Sequence, residues 1–257
     1  MGKEPGRQGH HLLLYAAGGI IMAQKRQIGA DYYVSRKSKL LKDFDKIAKR
    51  VRNVFVSYYG TELTEVIMGE VRLEYEKLIP QLPYIRVRQP LISTAQFLAM
   101  YRVIRAHGKT VEEIGKLIYE ASRKILDMYP GFVLRILGLM SFSGRHLKDW
   151  HRGAAESQKR EFPEDFVFTV IEGSEGFDYG VDYTECACCK FLNKQGALEL
   201  APYICATDII YSEKLGTGLV RTMTLADGYN KCDFRFKKGG ATRVKLSESV
   251  RLSIGAS

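Results

Sequence analysis

Residues 178–196 read DYGVDYTECACCKFLNKQG, and together with the residues up to Phe236 they decide the fold of this chain. All the cysteines of the 257-residue protein lie in this stretch: Cys186, Cys188, Cys189, Cys205 and Cys232. Short apolar patterns at 177–183, 219–225 and 232–236 predict strands. Residues 199–215, with Pro202 near the first turn, predict a helix between them. The thiols are therefore expected on several different elements of one sheet-and-helix unit.

The pattern continues on the N-terminal side of this stretch. Phe166, Phe168 and Val170 alternate along one more predicted strand, and a glycine-rich turn at 173–176 follows it. Further upstream, apolar residues recur at steps of three and four over residues 40–58, 63–78, 97–104, 114–125 and 132–147, which predicts five helices. We therefore expect an α+β fold, in which a helical N-terminal half packs on a small, mainly antiparallel sheet with helices in the C-terminal half.

Three parts of the chain are expected from these patterns. Residues 1–30 form a flexible or loosely packed segment, residues 31–150 a helical subdomain, and residues 151–257 an α+β cysteine-bearing subdomain. The last of these ends in a polar tail, with a short strand within 243–253. The apolar run Leu12–Ala23 resembles a signal-peptide core, but it is too short to span a bilayer and no clean cleavage site follows it. We expect no membrane partner and a cytoplasmic protein with reduced thiols.

The net charge of +10 bears on the partners of the protein. A basic excess attracts nucleic acids and anionic small molecules alike. No nucleic-acid-binding motif is visible, so we favour a solvated helix face, an anionic small-molecule substrate and no nucleic acid. A nucleic-acid-associated structural role is a weaker alternative that rests on charge alone. Assembly into a homo-oligomer stays open.

Polar groups of the cysteine-bearing stretch are expected to lie beside the thiols. Cys205 and Asp208 are three residues apart on the predicted helix and share a face. Arg221 shares a strand face with apolar residues, and an arginine in such a place needs an anionic partner. That partner is Asp208, Asp233 or a substrate carboxylate.

Several spaced motifs follow one another in this stretch. They are Thr184-x-Cys186, then Phe191 and Gly196, then Cys205-x-x-Asp208, then Leu219-x-Arg221-Thr222-x-Thr224, and finally Gly228-x-x-x-Cys232-Asp-Phe-Arg235. This series resembles the L-2-amino-thiazoline-4-carboxylate hydrolase family. The resemblance implies hydrolytic opening of a cyclic amidine-like C–N bond in a small carboxylated heterocycle. Cys188 and Cys189 fall outside the family's pattern.

The expected chemistry assigns candidate roles to these residues. A cysteine thiolate can attack the ring carbon between nitrogen and sulfur, and an acid whose pKa is raised by burial can protonate the departing ring nitrogen. Cys205, early in its helix, has the better electrostatics for a low pKa, and Cys186 is an equal candidate for the nucleophile. The catalytic candidates are Cys186, Cys205, Asp208 and Cys232, and the substrate-binding candidates are Arg221, Thr222, Thr224 and Arg235.

Non-catalytic interpretations of the same residues stay open. Buried cysteines commonly serve as small apolar fillers, and Asp208 can simply pair with Arg221. Three cysteines and a histidine can bind zinc, but the separations lack the usual Cys-x-x-Cys pair. We therefore expect no metal and no cofactor, with zinc as the alternative. The alternative function is a non-enzymatic sensor that binds a small molecule or a metal in the same cysteine-lined pocket.

Overall fold

The computed structural model describes residues 31–255, which form eight α-helices and one five-stranded sheet. The helices are α1 (Lys37–Leu78), α2 (Arg88–Ala106), α3 (Val111–Asp127), α4 (Gly131–Met140), α5 (Gly144–Gln158), α6 (Ala187–Lys194), α7 (Ala201–Leu215) and α8 (Glu248–Ile254). The strands are β1 (Val167–Ser174), β2 (Phe177–Glu185), β3 (Leu219–Arg221), β4 (Cys232–Phe236) and β5 (Arg243–Val244). The predicted α+β class is confirmed. The segment 1–30, with the apolar run Leu12–Ala23, lies outside the described residues.

Helix α1 is a hairpin of two antiparallel arms. The chain reverses at Gly60, whose φ of 73° is a left-handed value that glycine adopts without strain. Lys37 near the start of the first arm pairs with Glu76 near the end of the second, at 2.8 Å, so the arms run in opposite directions. The two predicted helices at 40–58 and 63–78 are therefore confirmed.

The predicted fifth helix, 132–147, is wrong in one respect, because the structure divides it. Helix α4 ends at Met140, and α5 starts afresh at Gly144 and runs on to Gln158. The break has a local cause: the Ser143 hydroxyl accepts a hydrogen bond from the backbone N–H of His146 at 3.3 Å and caps α5. Helix α3 begins with a capping box, in which the Thr110 side chain accepts from the Glu113 N–H and the Glu113 side chain accepts from the Thr110 N–H.

The sheet has the strand order β1-β2-β4-β3-β5 and is mainly antiparallel, as predicted. Only the pairing of β3 with β5 is parallel among the described strands. The strand predicted at 219–225 stops early, at Arg221, because the backbone N–H groups of Thr222 and Met223 donate to the Asp233 carboxylate instead of a neighbouring strand. The polar tail is also corrected: a two-residue strand is followed by helix α8, whose Val250 is buried.

Helix α7 lies between two apolar cores. One core joins α1, α2 and α3 to the sheet and α6, and it includes Ala201 and Ile204 of α7. The other joins α3, α4 and α8 to the opposite side of α7 through Tyr203 and Ile210. This arrangement fixes α7 beside the sheet and holds its polar residues at the edge of the core. None of the helices within residues 31–255 is long and apolar enough to cross a membrane.

Candidate active site at the thiol cluster

The structure brings the five cysteines together at the end of β2. Cys186 follows the last residue of β2, Cys188 and Cys189 lie in the first turn of α6, Cys205 lies on α7, and Cys232 begins β4. We call these five residues the thiol cluster. All of them are free thiols, and Cys186 influences the pKa values of both Cys205 and Cys232. Elements that are far apart in sequence therefore meet at one place.

Cys186 is the thiol of the cluster that favours ionisation. It occupies the position before α6 with extended backbone angles, so its sulfur lies at the positive end of the helix. The sulfur makes no full capping hydrogen bond. The thiols of Cys188 and Cys189, and then their backbone N–H groups, lower the pKa of Cys186 well below its usual range. The pKa values of Cys188 and Cys189 are raised in turn, since the negative charge rests on their neighbour.

Cys205 and Cys232 behave in the opposite way. Burial raises the pKa of Cys205 well above its usual range, despite the opposing effect of Arg221. The expectation that Cys205 has the better electrostatics for a thiolate is therefore wrong, because α7 begins between two apolar cores. Burial also raises the pKa of Cys232 to about 12, and its sulfur accepts a hydrogen bond from the Leu225 N–H at 3.2 Å. Both residues are protonated thiols at neutral pH.

Arg221 is the cation of the site and is only 1% exposed. One guanidinium nitrogen, Nη1, pairs with the Asp208 carboxylate, which makes Asp208 the partner among the three that the sequence allows. The other, Nη2, donates to the Cys205 carbonyl oxygen at 3.3 Å. The buried Nε–H has no acceptor among the described residues. Arg221 therefore keeps one unused donor, and an unused buried donor is costly unless something binds to it.

Asp208 completes the ionisable groups beside the thiols. Burial raises the pKa of its carboxyl group, and the Arg221 guanidinium opposes that rise. About a quarter of the side chain remains accessible to solvent, at 26%. Asp208 thus combines a raised pKa with access from outside, which are the two properties that a proton donor needs.

Tyr183 is a member of this site that the sequence interpretation missed. It lies on β2 directly opposite Cys232 of β4, so the two side chains are on the same sheet face. Burial raises the pKa of the Tyr183 hydroxyl well above its usual range, and Cys186 and Asp208 add to that rise. The sequence interpretation included Tyr183 only as part of the apolar strand pattern at 177–183. Its place three residues before Cys186 was the signal for another role.

The other predicted site residues are directed elsewhere. The Thr222 hydroxyl donates to the Asp233 carboxylate at 2.6 Å, and the Thr224 hydroxyl donates to Asp227 at 2.7 Å, so both hydroxyls hold the β3–β4 connection. Arg235 lies on the opposite face of β4 from Cys232 and pairs with Asp182 at 2.7 Å. The polar groups of these three predicted substrate-binding residues thus contact carboxylates other than Asp208.

The thiol cluster combines depth with access. Desolvation is the largest contribution to the raised pKa values of Cys205, Asp208 and Tyr183, yet each of these residues keeps part of its surface accessible. We call the partly accessible site that these three residues form the recess. A separate open cavity of about 390 Å³ lies at the other end of the sheet, beside Tyr179 and Lys237, and no thiol lines it. Across residues 31–255, no three His, Cys, Asp or Glu side chains are grouped so that they could hold a metal ion.

Comparison with known proteins relates this site to a family. The family described as L-2-amino-thiazoline-4-carboxylic acid hydrolase matches residues 89–236. The chain belongs to this family. The match covers more than half of the chain, from the first turn of α2 to the end of β4. The matched region therefore contains the whole thiol cluster, together with Asp208, Arg221 and Tyr183. No curated protein and no solved structure matches the chain.

Proposed function

We propose that this member of the hydrolase family opens the cyclic amidine C–N bond of a small carboxylated heterocycle of the 2-amino-thiazoline-4-carboxylate type, with Cys186 as the nucleophile. The observation that carries the proposal is the meeting of three groups in one recess: a cysteine with a lowered pKa, an acid with a raised pKa, and a buried arginine with an unused donor. Family membership supplies the substrate class.

Substrate binding is assigned to Arg221. Its buried Nε–H can donate to a substrate carboxylate, and a charge-assisted hydrogen bond of this kind is both short and strong. Asp208 does not block this contact, because it occupies Nη1 of the guanidinium and leaves Nε free for the substrate. The positive net charge of the protein, +10, favours the approach of an anionic substrate.

The first step is addition of the Cys186 thiolate to the ring carbon that lies between nitrogen and sulfur. The electron pair of the carbon–nitrogen double bond moves to the ring nitrogen. Protonated Asp208 gives its proton to that nitrogen, and a proton of the exocyclic amino group follows as the ring C–N bond breaks and the exocyclic nitrogen becomes a C=NH group on the same carbon. The result is an amine on the opened substrate and a covalent adduct, in which the former ring carbon is bonded to the sulfur of Cys186.

The second step is hydrolysis of that adduct. Asp208, now a carboxylate, takes a proton from water while the water oxygen adds to the same carbon. Asp208 passes that proton to the imine nitrogen of the adduct, which becomes an amino group. The Cys186 thiolate then departs, the added hydroxyl loses its proton to Asp208, and a carbamoyl group remains on the substrate sulfur. One water molecule is consumed, the thiolate is regenerated, and no redox partner is required.

The test is turnover of 2-amino-thiazoline-4-carboxylate by the purified chain, followed by mass spectrometry of the products. We expect the C–N bond to open, and Cys186→Ala to lower kcat/KM by roughly a factor of 10³ or more. Arg221→Lys is expected to raise KM about tenfold or more, since lysine cannot reproduce the Nε donor. Arg235→Lys is the matched control, because that arginine lies on the far face of the sheet.

Two outcomes would overturn the proposal. Full activity of Cys186→Ala would disprove the thiolate mechanism. Equal effects of Arg221→Lys and Arg235→Lys on KM would disprove the assignment of Arg221 as the residue that binds the substrate carboxylate. A chain that turns over no such heterocycle but carries one metal ion per molecule in elemental analysis would favour the sensor alternative.

A further inference from the structure

We propose that Tyr183 is a further catalytic residue, whose hydroxyl donates a hydrogen bond to the oxygen that water adds at the reacting carbon. This assignment rests on the proposed function, because it concerns the second step at the Cys186 adduct. It goes beyond that function, since the family motifs found in the sequence do not include Tyr183 and the two steps assigned above do not use it.

The phenol ring of Tyr183 is held in one orientation by other aromatic rings. Phe168 packs at 5.2 Å between ring centroids and Phe234 at 5.5 Å, and Trp150 closes the edge at 6.5 Å. These contacts involve the ring and leave the hydroxyl unused, since no described residue forms a hydrogen bond with it. A rigid ring with an unused O–H is a preorganised donor.

The direction of the hydroxyl follows from the sheet register. Tyr183 of β2 pairs with Cys232 of β4, and the next pair on the same face is Val181 with Phe234. The Arg221 guanidinium lies over the Phe234 ring, at 5.3 Å from its centroid, so the arginine is on this face as well. Cys186 follows Tyr183 by three residues, just beyond the strand end. The hydroxyl is close enough to Cys186 and Asp208 for both to act on its pKa, and Arg221 lies on the same face of the sheet.

Tyr183 is the residue best suited to donate a hydrogen bond to the oxygen that comes from water. In the second step Asp208 serves as the base, and Arg221 is committed to two carbonyl or carboxylate acceptors and to the substrate. The thiols of Cys205 and Cys232 are weak donors. The Tyr183 O–H is a neutral donor of ordinary strength that no described residue occupies. Its raised pKa keeps it protonated at neutral pH, so it can donate.

The test is the variant Tyr183→Phe, which keeps the ring and removes only the hydroxyl. We expect kcat to fall by roughly a factor of 10², the usual effect of removing one such donor, with KM changed less than about twofold. Because the first step is unaffected, Cys186 should carry an adduct with the mass of one substrate molecule, visible by intact-protein mass spectrometry. Tyr179→Phe is the matched control: it lies on the same strand and face but beside the distant cavity.

The outcomes separate this inference from the proposed function. If Cys186→Ala is inactive while Tyr183→Phe turns over at the wild-type rate without an adduct, the role of Tyr183 is overturned and the thiolate mechanism stands. If Cys186→Ala is fully active, both are overturned. If Tyr183→Phe fails to fold, difluorotyrosine at position 183 replaces it. The basic limb of the kcat profile should then shift to lower pH, and an unchanged profile would overturn the assignment.

Discussion

At the scale of single residues, the position of each cysteine decides its chemistry. Cys186 lies before a helix, next to four donors from Cys188 and Cys189, and its pKa falls. Cys205 lies inside the first turns of α7, where burial dominates, and its pKa rises. The motif series could not rank these thiols by pKa. Each pKa depends on the donors and the burial around the sulfur in the folded chain, and the spacing of the cysteines in the sequence does not show these. Cys188 and Cys189, which the motif series in the sequence leaves out, are the residues that make the difference.

This ranking predicts the effect of removing the neighbouring thiols. Cys188→Ala and Cys189→Ala should each raise the pKa of Cys186, because each removes a donor to its thiolate and keeps the backbone. The measurement is the rate of iodoacetamide alkylation at Cys186 against pH, followed by peptide mass spectrometry. The peptides with Cys205 and Cys232 are internal controls and should react slowly at neutral pH. An unchanged midpoint for Cys186 in both variants would contradict this account.

At the scale of secondary-structure elements, close helix contacts position the acid of the site. Helix α7 carries Asp208, and α3 and α4 approach it through glycines. A Cβ atom at Gly115 would lie 2.1 Å from the Tyr203 ring, and one at Gly138 would lie 2.0 Å from the Leu215 carbonyl oxygen. Both distances are far below van der Waals contact. The helices themselves were predictable from their periodicity, but their separation was not, since it depends on which glycine faces which residue.

Gly138→Ala should therefore destabilise the protein. Overpacking costs about 1–3 kcal/mol, and here the obstacle is backbone, which cannot move aside as a side chain can. The free energy of unfolding from urea denaturation measures the effect. Gly69→Ala on α1 is the control, because a Cβ there meets nothing within 4 Å. That variant should be neutral or gain up to about 1 kcal/mol. Equal effects of the two substitutions would show that α4 and α7 are further apart than described.

Helix α5 carries a second testable feature, the buried His146. Its Nε2 accepts a hydrogen bond from the Trp150 indole N–H at 2.6 Å, which requires that nitrogen to be unprotonated. Burial lowers the pKa of His146 to about 4, against roughly 6.5 in the unfolded chain. The folded state therefore favours neutral His146, so its contribution to stability is complete above about pH 6.5 and is lost as the pH falls towards 4.

Between pH 7 and pH 5 this one group should cost the wild-type protein about 2 kcal/mol of unfolding free energy. His146→Gln keeps a hydrogen-bond acceptor for Trp150 but cannot titrate, so its stability should fall less over the same interval. Urea denaturation at both pH values gives the comparison. His151→Gln on the same helix is the control, since His151 is about half exposed, at 49%. Identical pH dependence of His146→Gln and the wild type would contradict the pKa shift.

Element boundaries show where sequence reasoning ends. The end of β3 at Arg221 depends on Asp233, which lies twelve residues further along and accepts the N–H groups of Thr222 and Met223. Alternation within 219–225 carries no information about that contact. The Ser143 cap that divides α4 from α5 was missed for a different reason: a serine before a helical segment is a local signal, but the apolar periodicity over 132–147 continues across it. The cap could have been read from local sequence, whereas the contact with Asp233 could not.

At the scale of the whole molecule, the site lies where the helical part and the sheet share one core. That core contains residues from Tyr33, near the start of the described residues, to Ile204 of α7. Polar contacts cross the same junction: Arg86 before α2 pairs with Asp165 before β1 at 3.1 Å, and Arg102 of α2 donates to Gln195 after α6 at 2.7 Å. The grouping of the thiols thus depends on packing between parts that the sequence pattern separates at residue 150.

This shared core predicts one cooperative unfolding transition. Far-ultraviolet circular dichroism reports mainly on α1 to α5, whereas the single tryptophan, Trp150, reports on the junction, because it packs against Phe168 of β1 at 5.3 Å. We expect the two signals to share one midpoint in urea, since neither part can expose its side of the core alone. Arg86→Ala removes the ion pairs of Arg86 with Asp165 and Glu161 across the junction and should lower both midpoints together. Two separate midpoints in the wild type would show that residues 31–150 fold independently, and the recess would then join two bodies.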